Sequence, residues 1–441
     1  MKKLMLVLSV IGMVALPVRS YAGEMDVLLG KLVDKGILTA SEAQEIRTET
    51  NDEIAKQEKV KQEDYKKLAK DSMPDWVKNI KFSGDFRNRY QWDKSKSATS
   101  VATERNRDRI RVRLGADMKV IDDFKVGFGI ATGTTTDPKS TNVTLGDGFS
   151  FKNIILDYGY GQYIPHWTAP VDTTFTAGKF KNPFWEPINA LVDGDINPEG
   201  AALQLKYNVN PSANVFLNYG FLYLGDTFPK TKNPLQNVIQ PGVDWKILDN
   251  VKLKSTVDFW LAEVKGMTQI NNTPGSNTLA RNSDQGPASN IVYQNDYNSV
   301  VPKLEVGFSE PFFGYNPGFP YFSVFGEYID NLSANAKGTG WLAGFKIGNE
   351  KVADKYQWQL VYDHRMIERD AFLDAYPDSD FYGGKTGAAG DHVGFNFGLS
   401  KNSWVTLSYF NTRNVSKVVS RTDDGSKLGS QTIQADWTIK F

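Results

Sequence analysis

Residues 431–441, QTIQADWTIKF, alternate strictly between apolar and polar side chains and end on a phenylalanine. A period of two is the pattern of a β-strand whose two faces meet different environments. The same period recurs at 80–92, IKFSGDFRNRYQW, and at 107–120, RDRIRVRLGADMKV. One such strand is also typical of a soluble sandwich. The number of strands and the lengths of their connections must therefore decide the fold.

The first 22 residues predict a secretory signal peptide. Lys2 and Lys3 precede a short apolar run, LMLVLSVIGMVAL, and the small residues of SYA end at Ala22. The run is too short for a membrane-spanning helix. We therefore expect export from the cytoplasm and exclude residues 1–22 from the fold.

Composition excludes several classes of protein. The chain has 51 basic and 51 acidic residues, and loss of Lys2, Lys3 and Arg19 with the signal peptide leaves a slight acidic excess, which argues against a nucleic-acid partner. With no cysteine, disulfides, thiolate metal sites and covalently attached haem are excluded. No later stretch has the roughly 20 apolar residues of a spanning helix. If the chain crosses a membrane, we expect it to do so with strands.

Two regions differ in hydrophobic period. Residues 23–76 have the helical period, with a break at Gly36 and a restart after Thr39 or Ser41. A short coiled coil and a solvated stalk both fit this segment, which we expect to lie in the periplasm. From residue 77 to 441 the period is two, which predicts a single β domain.

The β domain is predicted to contain about 16 strands. They are expected near 80–92, 107–120, 124–134, 150–160, 172–181, 200–209, 213–224, 241–248, 251–263, 298–309, 320–330, 339–348, 355–364, 391–400, 403–411 and 430–441. Connections after odd-numbered strands are long, whereas most of those after even-numbered strands are short, such as IDDF, DN and SKNS. An even strand count with loop lengths sorted in this way indicates a transmembrane antiparallel β-barrel of an outer membrane.

In such a barrel the apolar face meets lipid and the polar face lines the lumen. The polar face of the first two strands has six arginines, and two lysines on later strands add to it. The predicted basic pore-lining residues are Arg87, Arg89, Arg107, Arg109, Arg111, Arg113, Lys179 and Lys206. Guanidinium groups stay charged at physiological pH and attract anions. Alternatively, the arginines pair with acids across the lumen and brace it.

The connection after the fifth strand predicts a constriction. Residues 182–199 include several apolar side chains, which is unusual for a solvated loop. They fit a loop that folds inward and packs against the wall; an ordinary external loop is the alternative. Folded inward, the loop would place four acids opposite the arginines: Glu186, Asp193, Asp195 and Glu199.

These features together resemble bacterial trimeric porins. The resemblance rests on the signal peptide, the helical preface, the alternating strands, the inserted loop after AGKFKNPF, and Phe441. The stretch LLGKLVDKGILTASEAQEI resembles the start of porin families related to the phosphate-selective porins. The resemblance implies a homotrimer of water-filled channels in a Gram-negative outer membrane that passes small hydrophilic or anionic solutes, with no cofactor. Trp437 and Phe441 would lie in the closing strand, and the terminal aromatic resembles the signal read by the barrel-assembly machinery.

The sequence also bears on two other functions, an enzyme and a protein sheath. Only three histidines occur, His166, His364 and His392, and no two are spaced as a helical zinc motif requires. With no nucleophile motif, an enzyme is not expected. A barrel that sheathes a partner protein, as an adhesin or an electron-transfer conduit, is the alternative, although an inserted loop opposes it. We expect a diffusion channel with a modest anion preference.

Overall fold

The structure is a computed structural model that describes residues 22–72, 75–97, 102–225, 234–268, 270, 276–281, 291–310, 319–415 and 427–441. The predicted signal peptide lies outside the described residues, except for Ala22. The chain forms two compact units, which divide after Asn79.

The N-terminal unit is helical. Its helices are α1 (Ala22–Asp34), α2 (Ala40–Ser72) and α3 (Asp75–Lys78). Gly36 separates the first two at φ +69°, a left-handed conformation that glycine adopts without steric cost. Helix α2 begins with a capping box, in which Glu42 N–H donates to Thr39 Oγ1 (3.3 Å) and Thr39 N–H donates to the Glu42 carboxylate (2.8 Å). The hydrogen bonds that the Glu42 carboxylate accepts from the Thr39 N–H and hydroxyl groups lower the pKa of Glu42. No helix among the described residues has the length and hydropathy to cross a membrane.

The second unit contains nineteen strands in its described residues. They are β1 (Ile80–Ser97), β2 (Thr103–Ile121), β3 (Phe124–Thr132), β4 (Val143–Thr144), β5 (Ile154–Tyr163), β6 (Val171–Lys179), β7 (Glu199–Asn210), β8 (Ala213–Tyr223), β9 (Leu235–Leu248), β10 (Val251–Ala262), β11 (Leu279–Arg281), β12 (Ile291–Tyr293), β13 (Tyr297–Ser309), β14 (Tyr321–Asn331), β15 (Thr339–Gly348), β16 (Trp358–Ile367), β17 (Ala388–Ser400), β18 (Ser403–Asn414) and β19 (Lys427–Lys440).

Sixteen of these strands close an antiparallel barrel, as predicted. Each long strand pairs with the next along the chain, and β19 pairs with β1. The short strand β4 pairs with β2, and β11 and β12 form a separate two-stranded antiparallel sheet. At the seam, Gly84 N–H donates to the Phe441 carbonyl (2.8 Å) and Phe441 N–H to the Gly84 carbonyl (3.1 Å). The Phe441 ring covers Gly84, where a Cβ atom would lie 2.6 Å from it.

Connection lengths are sorted between the two ends of the barrel. Two-residue turns join β2 to β3, β7 to β8, β9 to β10 and β17 to β18, all at one end. We call this the short-turn end. The opposite, long-loop end has longer connections, among them 133–153 (which includes β4), 180–198 and 368–387.

The two faces of the wall have opposite chemistry. Large apolar side chains such as Phe82, Val324 and Leu407 are exposed on the outer face, while charged groups such as Asp85 and Arg89 are buried inside. This inverts the arrangement of a soluble protein and is the pattern of a barrel surrounded by lipid.

Candidate pore constriction

The predicted arginines lie in a column on the inner face of β1 and β2. The register places Arg87 opposite Arg111 and Arg89 opposite Arg109. Like charges directly opposite one another destabilise a strand pair. Counter-charges from elsewhere are therefore needed to hold this part of the wall together.

Toward the short-turn end of the column, two aspartates bind two arginines. The Asp85 carboxylate accepts from Arg111 (2.8 Å) and from Arg113 Nε (2.7 Å). Asp195, on the loop 180–198, lies 3.2 Å from Arg113 Nη1 and 3.8 Å from Arg111 Nη1. Two positive and two negative charges thus form a compact group that ties the loop to the wall.

Toward the long-loop end of the column, the acids come from β19 and from the loop 368–387. Arg89 donates from Nε (2.7 Å) and Nη2 (2.8 Å) to the two oxygens of Asp436, and its Nη1 lies 3.0 Å from Asp380. Arg87 lies 3.6 Å from Asp436 and donates to the Asn142 side chain at 2.7 Å. Arg89 and Asp436 are only 4% and 6% exposed, so their ion pair is largely shielded from water, whereas the Asp380 side chain is 26% exposed.

The two remaining arginines, Arg107 and Arg109, differ in their hydrogen-bond partners. Arg107 lies 2.6 Å from Asp93. Arg109 has no carboxylate oxygen within 4.0 Å among the described residues and donates only to neutral oxygens, those of Gln91 (3.2 Å), Ser140 (3.3 Å) and the Asn142 carbonyl (3.3 Å). Six arginines thus face five carboxylates, and the excess positive charge lies at Arg109.

The loop 180–198 crosses the lumen. Beyond its contact with β2 through Asp195, the Trp185 N–H donates to the Gln240 side chain on β9 at 2.8 Å. Glu186 lies 2.6 Å from Lys303 on β13, and Lys346 on β15 donates to the Pro187 carbonyl at 2.8 Å. A loop that contacts β2, β9, β13 and β15 must lie inside the barrel.

A second loop, 368–387, also folds inward, and the sequence reasoning missed it. Trp260 of β10, which is 1% exposed, lies edge-on to Phe184 of the first loop and to Phe372 and Tyr376 of the second. The two loops are joined by backbone hydrogen bonds from Asp193 N–H to the Tyr376 carbonyl (2.8 Å) and from Asp378 N–H to the Ala190 carbonyl (3.1 Å). The available signal was the one used for the first loop, namely apolar residues (Phe372, Leu373 and Tyr376) in a long connection.

Comparison with known proteins assigns the family. A family model described as "Putative porin" matches residues 41–103, 94–301 and 313–441. The chain belongs to this porin family. No curated protein matches the sequence.

Several solved structures are similar to this porin. A mutant of Rh. blastica porin has 10% identity and a TM-score of 0.41, covering 82% of this chain and 100% of that one. OprB of Pseudomonas putida at high pH has 12% identity and a TM-score of 0.49, covering 83% and 95%. A loop-deletion mutant of OmpT from Vibrio cholerae has 13% identity and a TM-score of 0.46, covering 82% and 99%. The family match and the closed barrel indicate an outer-membrane porin.

The remaining predicted residues of this porin lie in different places. Asp193 accepts from the N–H groups of Asp195 (2.9 Å) and Ser379 (2.7 Å) and does not contact the arginines. Burial, reinforced by the charges of Asp378 and Asp195, raises the pKa of Asp193 to about 8. Burial likewise raises the pKa of Glu186, which is turned toward β13. Of the four predicted loop acids, Asp195 alone contacts the arginine column.

Four predicted residues lie outside this central group. Lys179 pairs with Glu199 at 3.0 Å, where the loop 180–198 leaves and rejoins the wall. Lys206 is exposed near the short-turn end of β7. Trp437, on the outer face of β19, packs edge-on against Phe86 of β1. Within the described ranges, no three acidic or histidine side chains are placed to bind a metal ion.

A cavity of about 630 Å³ remains between the loop 180–198 and the wall. Its lining includes Asp85 and Arg113 from the wall, Lys181 and Asp195 from the loop, and Lys440 next to the seam. The cavity therefore lies on the short-turn side of the constriction, against the arginine column.

Proposed function

We propose that this porin forms a water-filled channel for the passive diffusion of small hydrophilic solutes across a Gram-negative outer membrane. The observation that supports it best is the loop 180–198, which spans the lumen of a closed 16-stranded barrel and leaves a cavity of about 630 Å³ beside it. A constriction of this kind limits solute size. It also opposes the sheath alternative, because a partner protein would need the space that the loops 180–198 and 368–387 occupy.

The channel is proposed to have a modest anion preference. Most of the arginine charge is matched by carboxylates, which explains why the preference is small. The excess positive charge at Arg109, with lysines such as Lys181 and Lys206 that have no carboxylate partner among the described residues, gives its sign. Rings and rows of basic side chains favour anions in pores.

Planar bilayer recording of the purified protein tests both parts. We expect discrete conductance steps in KCl and, across a KCl gradient, a reversal potential displaced modestly toward the chloride equilibrium potential. Absence of steps would refute the open channel. A reversal potential on the potassium side would refute the anion preference and leave the channel itself intact.

The assembly of the channel is proposed as follows. Residues 1–22 direct export, the helical segment up to residue 76 lies in the periplasm, and the seam strand with Trp437 and Phe441 is recognised by the barrel-assembly machinery. The functional unit is a homotrimer. Electrophoresis of protein that has not been cross-linked checks the last point: a trimer band in the unheated sample that is absent after boiling is expected. A monomer under all conditions, including after chemical cross-linking, would refute it.

A further inference from the structure

The cavity beside the constriction has an uneven distribution of unused hydrogen-bonding groups. This inference deepens the proposed channel function and rests on it. Five acidic side chains line the cavity, so the lining would at first sight attract cations. Whether the cavity attracts cations depends on which of these carboxylate oxygens already accept hydrogen bonds from the protein. The five are Asp85, Asp157, Glu186, Asp193 and Asp195.

The acidic side chains of the cavity are already engaged. Both oxygens of Asp85 accept from arginines, and both oxygens of Asp193 accept from backbone N–H groups. Asp195 accepts from Arg113 through one oxygen and from Thr141 through the other. Asp157 accepts from the Asn197 amide at 2.7 Å through Oδ1, and the side chain of Glu186, only 5% exposed, pairs with Lys303 through Oε1, while its Oε2 is buried without a hydrogen-bond partner. Most carboxylate oxygens of the lining therefore already have donors.

Donor capacity, in contrast, is left over. Lys181 is exposed and forms no ion pair among the described residues. Its ammonium lies 4.7 Å above the centre of the Tyr158 ring, a cation–π contact that leaves its N–H groups available. Arg113 binds its two aspartates through Nε and Nη1, which leaves Nη2 without a carboxylate.

The position of Lys181 is set by the wall beneath it. The Tyr158 ring lies flat across Gly115 and Gly129, where a Cβ on either glycine would overlap it. The ring is 5% exposed and packs as part of the wall. The ammonium of Lys181 thus lies over an aromatic ring that packs against β2 at Gly115, two residues along the strand from Arg113.

We propose that this cavity is a binding subsite for small carboxylate anions, with Lys181 as the group that recognises the carboxylate. A carboxylate is an acceptor-only group with two oxygens. It can accept from the Lys181 ammonium and from the spare N–H groups of the Arg113 fork, since hydrogen bonds between ionised partners are the strong ones. A cation that approaches Asp85 or Asp195 would meet the positive charges of the arginines bound to them.

The test is a bilayer experiment with succinate as the probe and its neutral analogue succinamide as the control. Succinate added to a KCl solution is expected to reduce the single-channel current in a saturable way, and succinamide at equal concentration is not. Lys181→Gln should raise the half-blocking concentration roughly tenfold, the effect of losing one hydrogen bond between charged groups. Lys181→Arg, which keeps the charge, should restore block. Lys401→Gln, which removes a lysine charge from the exposed turn between β17 and β18, is the matched control.

The outcomes separate this subsite from the channel itself. KCl conductance steps that succinate does not reduce, or reduces no more than succinamide does, would overturn the subsite while the channel stands. Block by succinate that survives Lys181→Gln unchanged would overturn the role of Lys181. Thermal unfolding of the detergent-solubilised protein gives a second readout, because a ligand that binds the folded state raises its Tm. At the same succinate concentration, we expect the Tm of Lys181→Gln to rise less than that of the wild type and of Lys401→Gln.

Discussion

Arg89 and Asp436 face each other across the seam of the barrel. They are register partners on β1 and β19, and the Arg89 guanidinium donates to both oxygens of the Asp436 carboxylate at 2.7 and 2.8 Å. Two parallel hydrogen bonds between ionised groups are among the strong polar contacts of proteins. The last strand is therefore joined to the first through its side chains as well as through its backbone.

Removing the acid should weaken the seam. Among the described residues, Asp436→Asn leaves Arg89 with Asp380 as its one carboxylate partner and takes from Arg87 the carboxylate 3.6 Å away. Breaking a buried ion pair by loss of one partner costs about 3–5 kcal/mol. We expect a clearly lower temperature for the gel shift from folded to unfolded barrel.

The matched control is Glu199→Gln, which breaks the more exposed pair with Lys179. Exposed pairs contribute about 1 kcal/mol or less. Equal shifts for Asp436→Asn and Glu199→Gln would contradict the special role of the seam pair.

Arg109 should affect ion selectivity, whereas the neighbouring Arg111 should affect the stability of the barrel. Arg109→Gln removes the excess charge without leaving a carboxylate unpaired, so the reversal potential should move toward zero with an unchanged unfolding temperature. Arg111→Gln leaves Asp85 and Asp195 with Arg113 alone and should cost roughly 1.5–3 kcal/mol of stability. Bilayer recording and thermal unfolding of both variants measure this. An anion preference that persists in Arg109→Gln would show that its source lies elsewhere.

The flat contact between Tyr158 and the wall requires glycine at residue 129. In Gly129→Ala, the new methyl group meets the Tyr158 ring, and overpacking of this kind costs about 1–3 kcal/mol. Gly161→Ala on β5 is the control, because nothing lies within 4 Å of its Cβ position. A lower unfolding temperature is expected for the first variant only, and adding Tyr158→Ala to it should reduce the difference. Identical unfolding of the two alanine variants would rule this packing constraint out.

The contact between the two infolded loops should weaken as pH rises. The folded-state pKa of Asp193, about 8, lies above its value of about 3.9 in an unfolded chain. Between these values the folded protein binds more protons than the unfolded one, so Asp193 lowers stability progressively from about pH 4 to about pH 8. Asp193→Asn should flatten the decline in Tm measured from pH 5 to pH 9. If the Tm of the wild type and the Tm of Asp193→Asn fall equally between pH 5 and pH 9, Asp193 is not the source of the decline.

The barrel could be predicted from the sequence because strand alternation and loop lengths are local properties. The largest error in a predicted strand boundary is at β9, which begins at Leu235 rather than near residue 241. Pro241 lies inside it, paired with Leu217, and a proline usually marks the edge or the start of a strand. The helix break at Gly36 and the Thr39 cap were likewise readable, since both depend on neighbouring residues.

The partners of the arginines could not be predicted in the same way. Asp195 and Asp380 reach the column from loops about 185 residues apart in sequence, and no local pattern indicates which acid meets which arginine. Glu186 and Asp193 were expected at the column, but Glu186 pairs with Lys303 and Asp193 accepts from Ser379 N–H. Side-chain pairing inside a lumen depends on how several loops pack together.

The hydrogen bonds between the loops 180–198 and 368–387 also restrict how this protein can evolve. Surface loops usually accept insertions and exchanges freely because few contacts depend on them. Here the Asp193–Tyr376 and Ala190–Asp378 backbone contacts fix the spacing of both loops at once. A longer loop on one side would require a compensating change in the other, so we expect the lengths of the two loops to change together in evolution. A chimaera that exchanges only one of them should lose the ordered constriction.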